Sequence, residues 1–283
     1  MSEIVSIHSF RGGTGKSNTT ANLAVAIARM GKRVAIVDTD IQSPGIHVLF
    51  GLDDELMDRC LNDYLWGDCP IEDAAYDVGG SLGVDGGELS VIGGGVHLIP
   101  SSVRVGDITR VLREGYDVGV LNDGFRTLGD RLGLDYLLID THPGLNEETL
   151  LSITISNVLV LVMRPDQQDF QGTAVTVDVA RKLEVPKILL VVNKVLADYD
   201  VDAVRAEVER TYELPVAGIL PLSEDVARLA SAGVFFVERP DHPITVEIGR
   251  IAERVVRLTE PSEEDPTELA SASESAFPPP HPD

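Results

Sequence analysis

The chain is poor in the features that would commit it to several common roles. Of its 283 residues only Cys60 and Cys69 are cysteines. Two thiols without zinc-ligand spacing are too few for a disulfide framework, so reduced cysteines in a cytoplasmic protein are expected. No stretch approaches the roughly 18 unbroken apolar residues of a membrane helix. The first residues run straight into apolar Ile4–Ile7. They lack the basic, then apolar, then small-residue order of a secretory signal. Basic residues are scarce: 23 Lys and Arg against 46 Asp and Glu give a net charge of −23. Such a charge disfavours long-range attraction to nucleic acid or anionic lipid. Part of it is local, because Glu260 to Asp283 holds seven acidic residues and no basic one, but the remainder is still acidic. There are no internal repeats.

Apolar residues make up 43% of the chain, enough for a sizeable core. Apolar runs of strand length alternate with amphipathic stretches of helix length. Strands are expected at Ile4–Ser9, Arg33–Asp38, Val96–Ile99, Tyr136–Asp140, Val158–Val162, Ile188–Val192 and Val216–Leu220. Helices are expected at Ser17–Met30, Glu147–Ser156, Gln171–Leu183, Val201–Tyr212 and Pro243–Leu258. Unbroken runs such as Leu137-Leu138-Ile139 imply strands buried on both faces, as in a parallel sheet between helices. The alternation predicts an α/β fold with a doubly wound, mostly parallel sheet in a three-layer arrangement. One domain is expected over residues 1–258.

Two regions break this pattern. Between Asp77 and Gly95 glycines crowd together at 79, 80, 83, 86, 87, 93, 94 and 95. This insertion reads as a flexible hairpin or loop on the sheet edge. A glycine-rich nucleotide loop is the alternative, but the run leads into a strand rather than a helix. Residues 259–283, rich in Pro, Ser and Glu, are expected to form a disordered acidic tail.

Chemistry concentrates in Phe10-Arg11-Gly12-Gly13-Thr14-Gly15-Lys16-Ser17, between a strand and a helix. A glycine-rich turn lets several backbone N–H groups point at one anion, because glycine tolerates the positive φ such a nest needs. The following helix adds the partial positive charge of its N-terminus. Lys16 supplies a full charge for β and γ phosphates, and Ser17 a hydroxyl for a magnesium ion.

This run resembles the deviant Walker A motif of the MinD/ParA family, written Lys-Gly-Gly-x-Gly-Lys-Ser/Thr. The family comprises P-loop ATPases that dimerise face to face around two ATP molecules. Here Phe10 replaces the first glycine of an ordinary Walker A, and Arg11 replaces the signature lysine that crosses to the partner's nucleotide. Arginine keeps the charge and offers a planar fork suited to phosphate. The resemblance extends further. Val34-Ala35-Ile36-Val37-Asp38-Thr39-Asp40 is similar to the second strand and switch I, which implies Asp38 near the magnesium shell and Asp40 on the attacking water. Tyr136 to Gly144 is similar to the Walker B strand and switch II, which implies Asp140 as a magnesium ligand and brings the Gly144 N–H toward the γ-phosphate. His142 stands where a small residue or proline is usual and reads as a loop histidine. Asn193 falls in the segment that reads adenine, and Pro221 heads the loop that covers it. Gly12, Gly13, Thr14, Gly15, Lys16, Ser17 and Asn18 complete the implied nucleotide contacts. The similarity spans about Glu3 to Leu258, with the glycine-rich stretch poorly matched.

The resemblance implies an ATPase with ATP and Mg2+ as cofactors. It implies a homodimer with ATP, a protein activator or cargo adaptor, and slow hydrolysis that positions or partitions a cargo. The cysteine positions argue against an iron–sulfur relative, and the tyrosine-free tail against a capsule-export kinase. A metabolic P-loop ligase or kinase with a small-molecule acceptor is the alternative. Ile248, Ile251, Val255 and Leu258 form an apolar stripe beside Arg250, Arg254 and Arg257. It reads as a core-packed final helix rather than a membrane anchor. The same arginines, with Arg205, Arg210 and Arg228, are the candidate surface for nonspecific DNA. Interspersed glutamates and the overall charge do not favour that use.

Overall fold

The computed structural model describes residues 2–53, 55–79 and 94–260. Most of the glycine-rich insertion and nearly all of the acidic tail therefore lie outside the described residues. Among the described residues eight strands form one sheet: β1 (Glu3–His8), β2 (Arg33–Asp38), β3 (Tyr76–Asp77), β4 (Gly95–Ile99), β5 (Tyr136–Asp140), β6 (Val158–Met163), β7 (Ile188–Val195) and β8 (Val216–Pro221). Their order is β3-β4-β2-β5-β1-β6-β7-β8. All neighbours are parallel except β3, which pairs antiparallel with β4 through Tyr76–Leu98 and Asp77–His97.

Alternation along the strands decides which helix covers which face. Val34, Ile36, Leu138 and Val160 join one core with α1 (Lys16–Ala28) and the last helix. Ala35, Val37, Leu137 and Ile139 face a second core on the other side, and Leu159, Leu161, Leu190 and Val192 face a third. The sheet is thus sandwiched between two helical layers, as the continuous apolar runs require. The chain belongs to the three-layer, mostly parallel α/β class anticipated from the sequence. Helices α2 (Ile46–Leu49) and α3 (Leu61–Leu65) follow β2.

Of the helices with ten or more residues, two were not anticipated: α4 (Val105–Glu114) and α5 (Val118–Leu132). Glycines inside both weaken the helical signal of the sequence. In α5 the tertiary structure explains one of them, since a Cβ on Gly124 would press on Ile71 and Tyr64 at under 3 Å. Strand β3 was also missed, because two residues are too short for a periodic signal. Helices α6 (Glu147–Thr154) and α7 (Gln167–Lys182) come next. Helix α7 begins four residues before the expected Gln171, where Asp166 caps the N–H groups of Gln168 and Asp169 at 3.1 Å each. The remainder are α8 (Val201–Tyr212), α9 (Glu224–Leu229), α10 (Phe235–Glu238) and α11 (Pro243–Thr259).

In α11 the apolar stripe turns inward. Ile248, Ile251 and Val255 are buried in the first core. Its neighbour Arg254 donates to the Val216 carbonyl at 2.7 Å, as does Arg205 of α8. Arg250 pairs with Glu247 at 3.2 Å and Arg228 with Glu224 at 3.0 Å. Among the described residues no helix is long and apolar enough to cross a membrane.

Candidate active site: a phosphate cradle ringed by carboxylates

Strand β1 lies in the middle of the sheet, with β5 on one side and β6 on the other. The chain leaves it toward β2 and later fills the opposite side with β6, β7 and β8. Ligands of open α/β sheets gather beyond the carboxyl ends of the strands at such a reversal. The loop from Ser9 to Gly15 stands there and feeds α1.

Within the loop Gly13 and Gly15 have φ of 78° and 95°. Gly15 is the N-cap of α1 and offers no side-chain cap, so the first-turn N–H groups are left for an anion. A Cβ at Gly15 would collide with the Asn193 amide. That amide donates to the Thr14 carbonyl at 2.8 Å, and the next residue, Lys194, donates to the Gly13 carbonyl at 2.7 Å. Both residues stand at the end of β7, and Lys194 adopts φ 60° there. The loop is therefore braced from β7. The Asn193 oxygen accepts from the Lys194 N–H at 2.8 Å. Its amide, expected to read a base, is here engaged with the loop. It still lines a cleft of about 310 Å³ together with Gly15, Asn18, Pro221 and Ser223. The structure thus brings four of the expected nucleotide residues to one cavity.

Lys16 is 7% exposed, and its ammonium meets Asp140 Oδ1 at 2.7 Å. Thr20, one helical turn further on, donates to the same oxygen at 2.9 Å. Asp140 Oδ2 is buried without a hydrogen-bond partner. Asp38 stands beside Asp140 in the strand register and is also fully buried. Burial, then the charge of Asp140, push the Asp38 carboxyl from its usual range up to about 8. Its oxygens already accept from the N–H groups of Asp40 and Gly45, at 3.0 and 3.3 Å. Asp40 Oδ1 is buried and has no hydrogen-bond donor; the His142 Nε2 atom lies 3.7 Å away. Burial raises the Asp40 carboxyl as well, while Lys16 and His142 pull it down. His142 contacts the Pro143 carbonyl through Nδ1 at 2.7 Å, so Nδ1 carries the proton. In this state the Gly144 N–H donates to the Ser9 carbonyl at 3.3 Å rather than facing the cradle.

Arg11 is turned toward the start of α7, with Nη1 3.5 Å from Asp169 and 3.6 Å from Asp166. The cysteines lie elsewhere; burial pushes the Cys60 thiol up to about 12, which keeps it unreactive. Sequence reasoning missed Thr20, Lys194 and Asp169. Thr20 carried a readable signal, since it follows Lys16 by four residues on one helix face. Lys194 and Asp169 depend on strand and helix placement.

The donor set fits a nucleoside triphosphate with magnesium. The cradle offers backbone N–H groups and a lysine, and Asp140 Oδ2 and Asp40 Oδ1 are buried acceptors without protein donors. Among the described residues no three His, Cys, Asp or Glu side chains form a closed metal cage. An ion here would thus draw on phosphate oxygens and water, as magnesium does in nucleotide sites.

Known proteins resemble this chain in sequence and in fold. An uncharacterized ATP-binding protein of Methanocaldococcus jannaschii is 30% identical over 257 residues, covering 90% of this chain and 88% of that protein. The structure of the cell division ATPase MinD of Pyrococcus furiosus superposes with a TM-score of 0.74 at 25% identity, over 91% of this chain and 100% of that one. MinD of Pyrococcus horikoshii, solved with Mg-ADP, also gives 0.74, at 23% identity over 91% and 97% of the two chains. The family model described as the CobQ/CobB/MinD/ParA nucleotide binding domain matches residues 5–235, and the chain belongs to that family.

Proposed function

We propose that the protein is an ATP-dependent dimerising switch ATPase of the MinD/ParA type, which hydrolyses ATP slowly to position or partition a cellular cargo. The observation that carries this reading is the ring of Asp38, Asp40 and Asp140 around Lys16, with one buried, donor-free oxygen on each of Asp40 and Asp140. A protein that held nucleotide only structurally would have no use for a donor-free acidic group beside the phosphate cradle.

The chemistry follows from the residues. Lys16 exchanges Asp140 for the β and γ phosphates, while the N–H groups of the loop hold their oxygens. Asp140 is then a buried carboxylate without a protein cation, a state that a divalent ion fits. Ser17, Asp140 and Asp38 are the groups that would hold Mg2+, which supplies charge neutralisation on the phosphate oxygens. Asp40 orients the attacking water through its donor-free oxygen. Asn193, Asn18 and Pro221 border the base. Arg11 reaches the nucleotide of a second copy, where its fork stabilises charge as oxygen leaves phosphorus. Phosphoryl transfer needs this positioning more than covalent catalysis, so a slow basal rate awaits a partner that completes the geometry. A protein activator or cargo adaptor fits that requirement.

The test is Asp40→Ala with ATP and magnesium. It should bind ATP and accumulate as a dimer in light scattering, with hydrolysis abolished. A variant that binds ATP yet stays monomeric would remove the main support for the switch.

A further inference from the structure

His142 lies two residues after Asp140 and directly before Pro143, where the sequence suggested only a loop histidine. Its backbone is held on both sides. Thr141 donates through its N–H and its hydroxyl to the Ile7 carbonyl, at 3.3 and 3.0 Å. The Thr149 hydroxyl, in the first turn of α6, donates to the His142 carbonyl at 3.2 Å. The proline that follows disfavours the helical conformation for the histidine backbone. The ring is fixed through Nδ1, which donates to the Pro143 carbonyl at 2.7 Å. With that proton on Nδ1, Nε2 is an acceptor. It faces Asp40 Oδ1 at 3.7 Å. Two acceptors thus confront each other, and Oδ1 is buried without a donor. The Asp40 backbone is held too: its N–H donates to Asp38 Oδ1 and its carbonyl accepts from the Ser43 N–H, at 3.0 Å each.

We propose that His142 is a second acceptor for the attacking water, whose two O–H groups donate one to Nε2 and one to Asp40 Oδ1. The inference rests on the ATP-hydrolysing reading above. A water held by one acceptor swings about that bond. A second acceptor fixes the plane of the molecule, and the lone pairs on its far side then point in one direction. Two acceptors sharing a water stand about 4.4 Å apart when each hydrogen bond is roughly 2.8 Å long. Withdrawal of the ring by ~0.7 Å from its present 3.7 Å therefore opens the place. The ring is 24% exposed, so it is not packed in on all sides. Asp40 also feels the charge of Lys16, the ammonium offered to the β and γ phosphates, which sets the water at the phosphate end of the cradle. A small residue or proline at this position leaves the water with Asp40 alone.

The experiment uses the full chain and two variants that separate the ring nitrogens. His142→Asn keeps a donor for the Pro143 carbonyl but is too short to reach the water. His142→Gln gives up that donor and places an amide oxygen near the position of Nε2. Loss of one hydrogen bond to the nucleophile should lower kcat about 10- to 100-fold in His142→Asn, with KM for ATP unchanged. His142→Gln should recover most of that loss. Affinity gives a readout independent of turnover. By titration calorimetry with magnesium, the non-hydrolysable analogue AMP-PNP should bind both variants as it binds wild type. ADP with aluminium fluoride, which mimics the transferring phosphoryl group with its in-line water, should bind His142→Asn weaker by the factor lost in kcat, and His142→Gln nearly as wild type. His142→Ser serves in place of His142→Asn if the latter unfolds. The reverse ranking, with the Asn variant active and the Gln variant impaired, assigns the ring to the Pro143 carbonyl alone and overturns the inference. Equal losses in the two variants, or an aluminium fluoride complex unweakened in His142→Asn, overturn it as well. Wild-type protein that hydrolyses no ATP overturns the ATPase reading, and the inference falls with it. Wild-type turnover that His142→Asn leaves intact sinks the inference and leaves that reading standing.

Discussion

Lys16 and Asp140 form a buried ion pair, and its removal should be costly in a way that separates folding from binding. Lys16→Met keeps the aliphatic stem and deletes the charge. Asp140, with 0% exposure and Asp38 alongside, then has only the Thr20 hydroxyl on Oδ1. Leaving such a carboxylate charged costs roughly 3–5 kcal/mol. Protonating an ordinary carboxylate at pH 7 instead costs about 4 kcal/mol, so either route gives a similar loss. For a domain of this size the nucleotide-free Tm should fall by roughly 10 °C. Adding Asp140→Asn removes the stranded charge and keeps an acceptor for Thr20. The double variant should therefore recover to within about 1 kcal/mol of wild type. Neither variant should bind ATP, because the phosphates lose their ammonium in both. Differential scanning calorimetry and isothermal titration measure the two properties on the same samples. A Lys16→Met protein melting within a degree or two of wild type would refute the reasoning, as would a double variant no more stable than the single one.

Gly15→Ala places a Cβ at φ 95° and against the Asn193 amide. Left-handed strain and loss of the brace to Thr14 together amount to about 2–3 kcal/mol. If the loop distorts to relieve them, ATP affinity falls about 30- to 150-fold by titration calorimetry. His8 gives a pH signature. Burial, then Lys16 and His142, depress its imidazolium from 6.5 to about 3. The unfolded chain therefore takes up more protons between those values, and this contribution to stability is present above pH 6.5 and lost as pH falls. The raised Asp38 works in the opposite sense below about pH 8. Comparison of wild type with His8→Gln in urea isolates the histidine: the wild type should lose on the order of 3 kcal/mol more than the variant between pH 6.5 and 4. Parallel pH profiles for the two would rule out a buried neutral His8.

Much of the architecture was legible because it depends on local pattern. Continuous apolar runs announced β1, β2 and β5 to β8 as strands covered on both faces. The spacing of glycines, lysine and serine after β1 announced an anion cradle, because backbone geometry and a helix N-terminus are properties of a short segment. Asp38 and Asp140 were legible as carboxylates at strand ends. Helices α4 and α5 were not, since their glycines lower propensity, and only packing of Tyr64 and Ile71 on Gly124 explains one of these. Strand β3 is an antiparallel edge pair that exists only because β4 is beside it.

The sequence by itself determined the cradle, the strand-end carboxylates and the acidic balance of the surface, because each is a matter of composition or of a few neighbouring residues. Tertiary structure alone decided how the groups are engaged. It set Lys16 on Asp140, drew the Asn193 amide onto Thr14, raised Asp38 by placing it against Asp140, and turned Arg11 toward Asp169. Lys16 and Asp140 are 124 residues apart, and Arg11 and Asp169 are 158 apart. Such contacts are fixed by strand order and register, which juxtapose side chains that no local pattern connects.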